Sequence, residues 1–196
     1  MKNQILKNIF FFIGFISLLS FSFVKDDFIL WQENKKLKIQ DFKAENKDTV
    51  KVNRQQFLGA ISAIRIEYSS FQRNKNSVPE FSIKTYFDPN ESWMLLKNDY
   101  VLQHEQIHFD LTELYARKMR KSVESLQQKK VSNLEIYKKK LNYWNQMSQQ
   151  TNNAFDKENN DSYTSKNGTF FLNKNPKQKE WKNKIENELN EMTEFK

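Results

Sequence analysis

The chain contains only two histidines, and both fall within one short stretch, His104-Glu105-Gln106-Ile107-His108. No other feature restricts the fold as strongly. Side chains four residues apart meet when the backbone between them is helical, because about 100° per residue returns them to nearly the same face one turn later. The flanking residues suit a helix. Ile107, Leu111 and Leu114 make an apolar stripe adjoining the histidine face, while Asp110, Glu113 and Arg117 lie roughly opposite. Glu113 and Arg117, spaced i,i+4, are expected to form an exposed salt bridge.

The pattern is H-E-x-x-H, the zinc-binding signature of metallopeptidase helices. Two imidazoles on one face can share an ion. Glu105, about 100° round from His104, stands beside that ion and can take a proton from a water on it. The plainer alternative is a helix with two hydrogen-bonded histidines at the edge of the core, which leaves their absence elsewhere unexplained. Composition narrows the third ligand. There is no cysteine and no further histidine, so a site with three protein ligands needs an aspartate or glutamate. Glu113 points about 180° from His104 on the same helix, so the ligand has to come from downstream. Asp156, Glu158 and Asp161 in "AFDKENNDSYTSKNG" are available there, in what reads as a polar loop.

The chain has 196 residues, enough for one domain with a real core. Its formal charge is +8, spread over the length without a dense basic stripe. No recognition motif accompanies the charge, so nucleic acid is not an expected partner. The N-terminus carries Lys2 and Lys7 followed by an apolar run from Ile9 to Phe23. That run is short for a membrane span of about 20 residues and suits a signal peptide. Residues 1–25 are therefore expected to be a signal peptide, or an N-terminal anchor if uncleaved, and 26–196 a single exported domain. An uncleaved segment would be the only membrane contact. Without cysteine, lipoprotein acylation is ruled out.

Patterning along the exported part predicts an α+β fold, a small antiparallel or mixed sheet followed by helices. "FILWQ" (Phe28–Gln32) and "LKIQDF" (Leu37–Phe42) look like short strands. "AIRIEYSSF" and "FSIKTYFDP" alternate with a period of two around the polar turn "QRNKNSVPE", which predicts a hairpin. Its second strand, Glu80–Asp88, could pair with an extended peptide. From Tyr100 onward the period is helical. A second helix carries Leu134, Tyr137, Leu141 and Trp144, and a third starts at Asn175-Pro176 and carries Trp181, Ile185 and Leu189. Residues from Asn152 to Asn175 read as irregular. Tyr115 and Tyr163 are candidate oxyanion donors, but each reads first as a packing or solvent-facing group.

The run "SWMLLKNDYVLQHEQIHFDLTELYARKMRK" resembles a family of secreted bacterial zinc-dependent proteases of uncharacterised function within the zincin superfamily. Trp93, Leu102, "HEQIHFD" and Glu113-Leu114-Tyr115-Ala116-Arg117 carry the resemblance. The early "LWQENKKLKIQDFKAE" is similar to that family's opening, with Ile39 where a Trp is usual. Downstream, "FDKENNDS" (Phe155–Ser162) occupies the slot of a Y-D-x-x-T-x-H-G pattern, with Gln178 and Trp181 after it. Asp161 stands where that pattern has histidine. The resemblance implies a zincin-like fold and a zinc site of His104, His108 and Asp161, with Asp156 as the alternative third ligand. It also implies a peptidase in which Glu105 activates the zinc-bound water, acting on peptides or proteins in the periplasm, at the cell surface or in the medium. The alternative function is a non-catalytic exported binding or scaffolding module that keeps the metal site.

Overall fold

The computed structural model describes residues 27–45, 59–159, 162–166 and 169–196, with the backbone alone for 162–166 and 169–173. The N-terminal segment 1–25 and Asp161 lie outside the described residues.

The architecture is α+β, with three α-helices and a small three-stranded antiparallel sheet among the described residues. The elements are β1 (Ile29–Leu30), β2 (Ala60–Phe71), β3 (Glu80–Met94), α1 (Asp99–Gln128), α2 (Leu134–Glu158), β4 (Ser162–Lys166), β5 (Thr169–Asn173) and α3 (Lys177–Glu191). The sheet order is β1-β3-β2, and β4 pairs with β5 as a separate antiparallel hairpin. The period-two segments do form a hairpin, with Ile64 opposite Phe87, Ile66 opposite Thr85 and Tyr68 opposite Ile83. Near its far end the register breaks between Ile61 and Ala63. Pro89 cannot donate to a ladder, and the strand bulges there. Ser92 fills the gap: its Oγ accepts from Ala63 N at 2.9 Å and donates to Asp88 O at 2.6 Å.

Two expectations about local structure are corrected. Leu37–Phe42 is not a strand but holds a 3-10 turn at Ile39–Asp41. The Asp41 carboxylate accepts the Lys38 N–H at 2.7 Å, offering the backbone a local bond in place of a ladder. The stretch after Asn152 is not irregular either. α2 runs on to Glu158, which puts Asp156 and Glu158 on a helix, and β4 and β5 follow.

α1 lies at the centre. Ile64, Ile66, Ile83 and Phe87 from the inner face of the sheet pack on Phe109, Ala116 and Met119 and their neighbours. α2 adds Tyr137, Leu141 and Phe155, and α3 adds Ile185 and Leu189. Asn98 caps α1 by accepting Val101 N at 3.0 Å. The helix ends with Lys130 at φ 54, Lys130 N bonded to Gln127 O and Val131 N to Leu126 O, the pairing of a Schellman motif. That turn lays α2 back along α1.

Because the middle of α1, from Phe109 to Arg117, is buried all round, its polar face there is not exposed as the sequence suggested. Glu113 is 3 % and Arg117 0 % exposed. Glu113 accepts from Thr85 Oγ1 at 2.8 Å, Arg117 Nε at 3.3 Å and Arg120 at 2.9 Å. Arg117 donates to Leu189 O at 2.7 Å, and Arg120 to Phe195 O at 2.7 Å. Asp110 accepts from Trp31 Nε1 at 2.8 Å and Lys36 Nζ at 3.1 Å. The network ties α1 to the end of α3 and to the sheet, and it holds the histidine helix in place.

Candidate metal centre

On α1, His104 and His108 face the same way, with their Nε2 atoms 3.2 Å apart. The last turn of α2 brings Asp156 to them. Its Oδ1 lies 2.8 Å from His108 Nε2 and 3.3 Å from His104 Nε2. Among the described residues, this trio is a group that could hold a metal ion. The spacing can be tested against zinc. Ligand atoms at 2.0–2.1 Å in a tetrahedron stand about 3.3 Å from one another; the separations of 3.2 and 3.3 Å match this, and that of His108 from Asp156, 2.8 Å, is shorter.

The hydrogen bonds behind the trio point the same way. His108 Nδ1 lies 2.7 Å from Asn152 Oδ1, and Asn152 Nδ2 donates to Ser148 O at 2.9 Å. The Ser148 carbonyl takes only a donor, so it fixes the amide, and Oδ1 must accept the Nδ1 proton. Nε2 of neutral His108 is then a lone pair aimed at a carboxylate oxygen 2.8 Å away. Only a proton or a cation can bridge such a contact. Phe155 seats both rings, at centroid distances of 4.5 Å from His104 and 4.8 Å from His108, and Trp181 backs Phe155.

The charges follow. Burial alone would lower the His108 pKa, but the Asp156 bond and the nearby Glu105 charge raise it above the usual imidazole value. Burial would raise Asp156, yet its hydrogen bonds to His104 and His108 hold it well below the usual carboxylate range.

Glu105 is 5 % exposed and lines the cleft beside the trio. Ser62, at the register break of β2, donates to Glu105 Oε2. By the two-residue period Ser62 shares the inner face with Ile64 and Ile66, which aims its hydroxyl at α1. The cleft, about 570 Å³, runs between residues 60–66 of β2 and the second half of α2, with α1 as its floor.

The other candidates with described side chains lie elsewhere, and Asp161 is outside the described residues. Glu158, at the end of α2, accepts from Trp181 Nε1 at 2.9 Å. Glu113 belongs to the buried network. The Tyr115 hydroxyl pairs with Thr151 Oγ1 at 2.6 Å, and its ring packs near Trp144. Of Tyr163 only the backbone is described. β3, expected as a peptide-pairing edge, is the central strand of the sheet, and among the described residues β2 is the edge at the cleft. Sequence reasoning missed Ser62 and Asn152. Asn152 sits four residues before Asp156, a signal that becomes visible once α2 is extended through both. No family model matches the chain, and neither a curated protein nor a solved structure does.

Proposed function

We propose that the chain is an exported, zinc-dependent peptidase with a zincin-like fold. The observation that carries this is the meeting of His104, His108 and Asp156 beside a buried Glu105, in a cleft walled by a strand edge that is free among the described residues. Two imidazoles and one carboxylate are a catalytic zinc ligand set, with one of four positions left for water. Zinc, when bound, acidifies a water and polarises a carbonyl. The residues supply the rest. Ser62 holds Glu105 Oε2, leaving Oε1 to accept a proton and pass it to the departing amine. Asn152 keeps His108 in the tautomer that ligates.

The strand edge supports a peptide substrate. Thr85 O accepts from Trp31 N at 2.9 Å on the β1 side, so the Thr85 backbone groups face away from β2. By antiparallel alternation, Ile66 opposite it, and Ile64 two residues earlier, turn their N–H and C=O groups toward the cleft. An extended peptide can pair there. Export rests on the charge and apolar pattern of residues 1–25.

The deciding experiment pairs elemental analysis with a peptide-library digest of the parent and Glu105→Gln. The parent should hold one zinc and cleave, while Glu105→Gln should hold zinc and not cleave. Equal cleavage by Glu105→Gln would remove the role given to Glu105. A zinc-loaded parent that cleaves nothing would turn the reading to an exported binding or scaffolding module.

A further inference from the structure

We infer that Asn145 and Gln149 on α2 form a second binding rail that, with the edge of β2 left free among the described residues, holds an extended peptide by its backbone over about five residues. The inference rests on the peptidase reading and names the substrate feature that the cleft recognises.

Asn145, Gln149, Asn152 and Asp156 are spaced by four, three and four residues, so they make one stripe along α2. The end of the stripe is placed by its own contacts: Asp156 and Asn152 both reach the histidines. Asn145 and Gln149 continue it along the cleft, and both line it. Both are exposed, and neither side chain has a hydrogen bond among the described residues. Facing them across the cleft are the outward backbone groups of Ile64 and Ile66.

The chemistry of the stripe is selective. The chain is rich in lysine, and α2 itself carries Lys138, Lys139, Lys140 and Lys157. From Asn145 to Asn152, however, the stripe holds no charge. A carboxamide offers both a donor and an acceptor, as a peptide bond does, and it distinguishes neither sign of side-chain charge. Such a wall reads main chain and tolerates many sequences. The length is also set: Asn145 to Asp156 spans about 16 Å at 1.5 Å per residue of helix. Extended chain advances about 3.3 Å per residue, so about five residues fit along the rail.

The test uses full-length Glu105→Gln loaded with zinc, so that nothing is consumed, and fluorescein-labelled alanine-serine peptides of two to ten residues read by anisotropy. Affinity should rise with length until the rail is filled and then level off. Adding Asn145→Ala and Gln149→Ala should weaken the longer peptides about tenfold or more while zinc content stays at one per chain. Peptides N-methylated on alternate backbone amides should lose a similar factor against the unmutated rail. Undiminished binding by the double variant, or affinity independent of length, would overturn the inference. If long peptides bind through the rail but the parent enzyme cleaves none, the peptidase reading fails and the rail stands. If no peptide binds to the zinc-loaded chain, the rail is wrong.

Discussion

His108 donates its Nδ1 proton to Asn152 Oδ1 at 2.7 Å, and Asn152 is itself anchored one turn back on Ser148 O. One amide thereby sets which imidazole nitrogen faces the trio. Asn152→Leu keeps the bulk but leaves Nδ1–H without an acceptor. Zinc affinity, measured by chelator competition, should fall about 10- to 100-fold. Asn152→Asp retains an acceptor and should bind at least as tightly as the parent. Equal affinity in the leucine variant would show that the tautomer is set without Asn152.

The ligand set separates by mutation. His104→Ala, His108→Ala and Asp156→Ala should each reduce zinc to well below one per chain, because two remaining ligands hold it poorly. Asp161→Ala should leave zinc in place. The reverse pattern for the two aspartates, read by elemental analysis, would move the third ligand to Asp161.

Stability should depend on pH in opposite senses with and without metal. In the metal-free chain the raised His108 pKa means that the folded state holds its proton more tightly than the unfolded chain does. That contribution is complete below the ordinary imidazole pKa of about 6.5 and is lost as pH rises through the folded value. The depressed Asp156 pKa contributes above the ordinary carboxylate pKa and is lost as pH falls through the folded value. Zinc needs the unprotonated imidazole, so its stabilisation grows as pH rises. Tm measured from about pH 6 to 8 with EDTA and with zinc should therefore diverge, the first falling relative to the second. Parallel curves would argue against zinc at these residues.

Arg117 is a structural group despite its place in the histidine helix. It is 0 % exposed and bonds Glu113 and the Leu189 carbonyl, with Trp31 at 5.1 Å from its guanidinium. Arg117→Ala strips a charge partner from buried Glu113 and leaves a cavity. A loss of about 3–5 kcal/mol in denaturant unfolding is expected. A loss below about 1 kcal/mol would mean that Arg120 alone satisfies Glu113.

Short-range periodicity was legible from residues alone. The alternation of Ile64, Ile66 and Tyr68 against Phe81, Ile83 and Phe87 specifies the hairpin, and the four-residue histidine spacing specifies a helix, because both signals lie within one element. The last turns of α2 were not legible. Between Gln150 and Glu158, Phe155 is the only fully buried apolar anchor, so no apolar period marks a helix there. Burial of Glu113 and Arg117 was hidden as well, since i,i+4 charges look alike on an exposed face and inside a network.

Neighbouring residues alone therefore dictate the hairpin, the first helix and the pairing of His104 with His108. Folding of the whole chain was needed to make β2 and not β3 the strand edge at the cleft, because β1 returns from residues 29–30 to cover β3. It was needed too for Asp156 to join His104, 52 positions away, and for Ser62 to meet Glu105, 43 positions away. Those contacts come from laying α2 antiparallel on α1 and from the bulge in the sheet. Packing of the whole apolar core sets both, and no local pattern of residue types encodes which polar side chains that packing brings face to face.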